Sequence, residues 1–126
     1  MVDVLDDGLS TIAGSRAEND FGASAGECAV LDGCKALANG TRLAVLAWLK
    51  DPHANFPELE PDTAELGVCV GLIQRKAGTS ASTISAHLAV LQRAGFLIPT
   101  RRGQWTYYRR DETRIRHFTD RLHRAL

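Results

Sequence analysis

The sequence predicts a mainly α-helical chain with one small β-hairpin, and three stretches carry that expectation. The first, GTSASTISAHLAVLQRAG from Gly78 to Gly95, places Ile84, Leu88 and Leu91 at spacings of four and three, one face of an α-helix. The second, Leu72 to Ala77, reads as the end of a preceding helix, with Gly78-Thr79 as the tight turn between the two. The third is a pair of short runs, FLIPT and WTYY, rich in aromatic and β-branched residues and joined through a hairpin tip at Arg102-Gly103. Helix, short turn, helix and then hairpin is the order of a winged helix-turn-helix.

Each element follows in chain order. Residues 1–25 are rich in Asp, Ser, Gly and Ala and are expected to form a mobile acidic tail. Residues 26–126 are expected to form the winged helix-turn-helix domain, with a Pro-rich loop at 51–66. From Glu27 to Ala38 a helix is predicted, with Val30, Leu31, Cys34 and Leu37 on one face. Asn39 reads as the cap of the next helix, where Leu43, Leu46 and Leu49 lie on one side with Val45 and Trp48 beside them. The loop holds three of the four prolines, Pro52, Pro57 and Pro61, so it cannot be regular helix throughout. Asn55-Phe56-Pro57 is expected to tuck its Phe against the core. A loop of this length is often functional, although a plain surface insertion explains it as well. Helix resumes from Val68 to Ala77. Ser80 stands where an N-cap belongs and Gly95 where a C-cap glycine belongs. Pro99 implies that the first hairpin strand pairs on one side only at that point. Asp111 to Leu126 reads as a final helix with Ile115, Phe118, Leu122 and Ala125 in a single stripe. Such a stripe needs a cover, either the chain's own first helix or a second copy, giving a homodimer through terminal helices.

At 126 residues there is room for one domain with a modest core. No run of about 18 apolar residues is present, and the start, MVDVLDDGLS, lacks a basic-then-apolar signal, so a cytoplasmic protein without a membrane partner is expected. Three cysteines, Cys28, Cys34 and Cys69, do not form a disulfide framework, and reduced thiols are expected.

Formal charge is zero overall but strongly segregated. Residues 1–34 hold one basic and seven acidic residues, and residues 35–50 three basic and no acidic ones. Residues 51–66 hold five acidic and no basic residues, and residues 67–126 eleven basic and three acidic. The basic block contains the helix-turn-helix and the hairpin, the electrostatic footprint of a DNA-binding surface, since phosphate neutralisation supplies much of such affinity. The front of the second helix carries Ser80, Ser82, Thr83, Ser85, Ala86 and His87. Short hydroxyls and one imidazole let a helix approach base edges in a major groove. Arg101, Arg102 and Gln104 at the hairpin tip are placed to reach phosphates or a minor groove. The bland counterparts are an ordinary helical hairpin and a solvated basic loop.

The segments KALANGTRLAVLAWL (35–49), TSASTISAHLAVLQRAGFL (79–97) and RRGQWTYYRR (101–110) together resemble the ArsR family of winged-helix repressors over roughly residues 30–124. The resemblance implies small homodimers that bind double-stranded operator DNA and respond to metals, metalloids or oxidants. Ala81 and Ala86 stand where family members often carry a basic or Gln side chain, which shifts the expected readout to Ser82, Thr83, Ser85, His87, the wing and DNA shape.

The signal is less legible. Metalloid-sensing members carry Cys-Val-Cys on the helix before the recognition helix; here the matching residues are Cys69-Val70-Gly71. Soft ions want two or three thiolates, so this segment alone does not make that site. Cys28 and Cys34, six apart and about 120° around a helix, would join a site only if the helix began after Cys28. Cys69, near a helix start, is a redox or electrophile candidate, with a structural small residue as the alternative. Other members bind metal between C-terminal helices; this chain offers Asp111, His117, Asp120 and His123, at spacings that do not match the family pattern, so solvated polar residues are the favoured reading. His53 has no evident partner. The sequence specifies no cofactor: none at all and a metal or metalloid ion both stay open. No segment pairs Cys with His in a catalytic motif and no phosphate-binding loop follows a strand, so no enzyme is expected. The functional expectation is a sequence-specific DNA-binding repressor released by an effector or thiol modification, with a winged-helix protein-interaction module as the alternative.

Overall fold

The computed structural model describes residues 25–126, with side chains from Ala29 onward. Of the tail expected over residues 1–25 only Ala25 falls among them. The chain divides into two compact units: Ala36–Ile115, and a second that joins the chain up to Lys35 with Arg116–Leu126. Among the described residues six α-helices run α1 (Ala25–Leu37), α2 (Gly40–Lys50), α3 (Pro52–Asn55), α4 (Val70–Ala77), α5 (Ala81–Arg93) and α6 (Glu112–Ala125). Three strands, β1 (Val68–Cys69), β2 (Leu97–Arg102) and β3 (Trp105–Arg110), form an antiparallel sheet of order β1-β3-β2. No helix among the described residues is long and apolar enough to cross a membrane.

Within Ala36–Ile115 the core is built from Val45, Leu46 and Leu49 of α2, Ile73 of α4, Ile84, Leu88 and Leu91 of α5, and Val68, Phe96 and Leu97 at the sheet. Asn39 caps α2 as expected, its side chain accepting from the Arg42 amide at 3.0 Å. Leu43, placed with the inward residues by its spacing, is instead 55% exposed, because the buried stripe of α2 is centred on Val45 and Leu46.

The acidic segment after α2 is not structureless. Asp51 caps the single turn of α3, and a 3-10 turn follows at Ala64–Leu66. Phe56 is buried and meets Trp48 edge to face at 6.4 Å, with the Lys76 ammonium over both rings. The Pro-rich stretch is therefore pinned to the core at Phe56.

The helix expected from Val68 begins two residues later, at Val70. Val68 and Cys69 are a strand paired with Tyr108 and Tyr107 of β3. Gly67 sets this up: its φ of 109° turns the chain, and a Cβ there would collide with the Tyr108 carbonyl. The expected hairpin thus gains a third strand. Its tip lies one residue further on than Arg102-Gly103: Arg102 pairs with Trp105, and Gly103-Gln104 make the turn, with Gly103 at φ 62°.

In the second unit, Phe118 of α6 lies against Gly33 of α1 so closely that a Cβ on Gly33 would fall inside its ring. This reorders the expected face of α1. Leu31 is 48% exposed, whereas Gly33 is buried because its lack of a side chain admits an aromatic ring. On α6, Phe118 and Leu122 are half-buried and Ala125 exposed.

Candidate nucleic-acid interface

The α4–turn–α5 unit is fixed at each corner by backbone chemistry that the sequence supplies. Gly78 takes the left-handed conformation at φ 70° and closes α4 through its amide to the Gln74 carbonyl. Ser80 starts α5: its hydroxyl oxygen accepts from the Thr83 amide at 3.2 Å and its proton goes to the Thr83 hydroxyl at 2.9 Å. At the far end Gly95, φ 88°, donates to the Gln92 carbonyl while Phe96 donates to the Leu91 carbonyl, a Schellman closure that stops the helix and launches β2.

Ile84, Leu88 and Leu91 are fully buried, so the opposite face of α5 is held outward. Ser82, Thr83, Ser85 and Ala86 are exposed there. Ser80 and Thr83 are tied to each other by the cap, with the Ser82 hydroxyl 3.3 Å from that of Ser80. Ser85 is exposed and carries no such bond among the described residues.

His87 is half-buried and held by a residue that sequence reasoning passed over. Arg42 of α2 places Nη1 3.1 Å from His87 Nδ1 and donates Nε to the Ala36 carbonyl at 2.6 Å. A guanidinium only donates, so Nδ1 must be the acceptor and the imidazole proton sits on Nε2. His87 therefore keeps Nε2 as a donor. Arg42 and His87 are 45 residues apart, so no local pattern announces the pair.

The wing brings Arg101, Arg102, Gly103, Gln104 and Trp105 together at an exposed tip. Arg101 bends back, its Nε 3.4 Å from the Gly103 carbonyl. Trp105, which the sequence marks only as a strand former, is 52% exposed. Arg110, at the other end of β3, is not part of this surface. It makes a two-point pair with Glu112 at 2.9 and 3.0 Å and donates to the Leu46 carbonyl, locking the sheet to α2.

The signal candidates are dispersed. Cys69 is half-buried at the cap of α4, beside Tyr107 in the ladder. Gly71 has open space around it and adds no donor. Cys34 is half-buried on α1. Helix α1 begins at Ala25, ahead of Cys28, so Cys28 and Cys34 share one continuous helix and the condition for a joint site is not met; the Cys28 side chain itself lies outside the described ones. His117, Asp120 and His123 are exposed along α6. Among the described residues no three His, Cys, Asp or Glu side chains gather as a metal site.

Comparison with known proteins bears on the class. No family model matches the chain. The uncharacterized HTH-type transcriptional regulator YbzH of Bacillus subtilis (strain 168) is 44% identical over 89 residues, covering 70% of this chain and 89% of that protein. The solution NMR structure of a homodimeric winged helix-turn-helix DNA-binding domain from Mycobacterium bovis, a possible ArsR-family transcriptional regulator, is 29% identical with a TM-score of 0.57 and covers 90% of each chain. The crystal structure of a possible transcriptional regulatory protein from the same organism, also a fragment of residues 1–100, is 30% identical with a TM-score of 0.52, covering 78% of this chain and 91% of that one.

Proposed function

Because the chain belongs to the ArsR family of winged helix-turn-helix transcriptional regulators, we propose that it is a homodimeric, sequence-specific DNA-binding repressor that lets go of its operator when an effector or thiol modification lowers its affinity. The observation that carries this is the joined geometry of α5 and the wing: a capped helix with an outward front of small hydroxyls, next in the chain to a hairpin tip bearing two arginines and a glutamine.

On this reading α5 enters a major groove. Ser82, Thr83 and Ser85 reach base edges, for which short hydroxyls serve as either donor or acceptor. Ser80 shapes the N-terminus, where free amides face phosphate. His87, with its Nδ1 occupied by Arg42, donates from Nε2 to a phosphate or base acceptor. Arg101, Arg102 and Gln104 engage the flanking backbone. A second copy, joined through the terminal helices, presents the same elements to the other half of a two-fold-symmetric site, as the homodimeric relative supports. Release is a coupling between the dimer geometry and the spacing of the two α5 helices. Cys69, at the junction of β1 and α4 directly ahead of the helix-turn-helix, is the first thiol to test for that signal.

The test is DNA-binding anisotropy of the reduced protein on its own upstream DNA, alone and with arsenite, zinc, nickel or peroxide. Binding relieved by arsenite or peroxide in the parent but not in Cys69→Ser supports the thiol signal. Relief by zinc or nickel alone moves the signal to the histidines of α6. Binding that none of the four disturbs removes release by these agents, and no preference for that DNA over random sequence removes the repressor.

A further inference from the structure

The wing carries an aromatic side chain that is left half in water. Trp105 pairs with Arg102 at the end of the β2–β3 ladder, so the two side chains share one face of the hairpin. Arg101 and Thr106, the next pair, lie on the opposite face, and Gln104 sits in the turn between them. The tip thus sets Trp105 beside Arg102 on one face, with Arg101 on the other face and Gln104 in the turn. Elsewhere in the sheet the large apolar and aromatic side chains are better covered: Leu97 is 4% exposed, and Tyr107 and Tyr108 are half-buried. Trp105 is 52% exposed, the only aromatic among the four large apolar residues left open among the described residues. An indole left in water is unfavourable, and its exposed half contributes no burial to the folded chain.

We propose that Trp105 is the apolar anchor of the wing on DNA: its ring packs against the deoxyribose walls of the minor groove, between phosphates engaged by Arg101 and Arg102. This rests on the DNA-binding reading above and deepens it. The charge of the tip identifies the occupant. A tip that exposes one indole and two guanidinium groups within five residues matches a polyanion with an apolar sugar edge, and mismatches an apolar protein groove, where the two cations would be desolvated without partners. The division of labour follows. The arginines supply a salt-dependent contribution through counterion release, while the indole supplies a salt-independent one through burial.

That division makes the proposal testable with wild type, Trp105→Ala, Trp105→Phe and Arg102→Ala, measured by anisotropy on the protein's own upstream DNA and on a random duplex over a range of salt. Trp105→Ala is expected to weaken binding about 10-fold or more with an unchanged salt slope, as buried area is lost and no phosphate contact is. Trp105→Phe should recover most of that loss. Arg102→Ala should instead lower the slope by about one. The intrinsic fluorescence of the wild type should shift on adding DNA, and that of Trp105→Phe, which keeps only Trp48, should not. Unchanged affinity in Trp105→Ala overturns the proposal. So does a loss accompanied by a reduced slope, because that marks a wing whose shape, and with it the arginine contacts, depended on the Trp. A wild type that binds neither duplex removes the DNA reading itself and the anchor with it, an outcome distinct from a wild type that binds and a variant that binds equally well.

Discussion

Arg42 shows how much one side chain organises here. Its backbone amide is received by the Asn39 cap, its Nε holds the last turn of α1 at the Ala36 carbonyl, and its Nη1 fixes the His87 ring on α5. Removing it leaves a carbonyl and an imidazole without their donor, and Arg42→Ala is expected to cost about 1–3 kcal/mol of stability in urea unfolding. Because the His87 tautomer and tilt go with it, the preference for operator over random DNA should fall further than the affinity for random DNA. Arg42→Lys keeps the charge but not the fork, and should restore stability better than preference. Equal losses on both DNAs would make Arg42 a purely structural residue. Tyr108 gives a second residue-level prediction. It faces Val68 and Pro99 across the ladder, and burial pushes its hydroxyl above the ordinary value of 10.0. A raised folded value means the native state keeps its proton after the unfolded chain has lost it. Stability from this residue is therefore full below about pH 10 and falls as pH rises beyond it. Tyr108→Phe should flatten the alkaline limb of a stability–pH curve and leave the neutral region alone; an unchanged limb would assign it to other groups.

At the scale of elements, what was legible in the sequence is what local chemistry decides. The span of α5 follows from Ser80, the Ile84–Leu88–Leu91 stripe and Gly95, and all of these act within a few residues of one another. The cap at Asn39 was legible for the same reason. Strand β1 was not. It is two residues long, its apolar Val68 and Cys69 run straight into a helix, and only its pairing with Tyr107 and Tyr108, some forty positions away, makes it a strand. The same remoteness hid the Arg42–His87 link. Leu31 and Leu43 were placed inward because periodicity gives the width of an apolar stripe but not its centre, which packing decides: Phe118 chose Gly33 on α1, and the core chose Val45 on α2. Gly67 is the residue that makes β1 possible, so it concentrates the prediction at this scale. Gly67→Ala combines an unfavourable φ with a collision against the backbone of β3, and a loss of roughly 3 kcal/mol is expected from urea unfolding. A loss below about 0.5 kcal/mol would mean that the β1–β3 pairing is dispensable.

For the whole molecule, the decisive property is the segregation of charge within a neutral chain. The acidic residues gather before Lys35 and between Asp51 and Leu66, the basic ones from Gly67 onward. The basic block contains both the outward face of α5 and the wing, so one connected run of sequence supplies the hydroxyls proposed to read bases and the cations proposed to hold phosphates. That coincidence explains why a protein with no net charge is expected to bind a polyanion, and why its affinity should collapse with salt while its preference for sequence survives. The most direct test is to measure the dissociation constant for the protein's own upstream DNA and for a random duplex across a range of salt. The account predicts tighter binding to the upstream DNA at every salt concentration, with both affinities falling steeply and log-linearly as salt rises. Equal affinity for the two duplexes, or binding indifferent to salt, would contradict it.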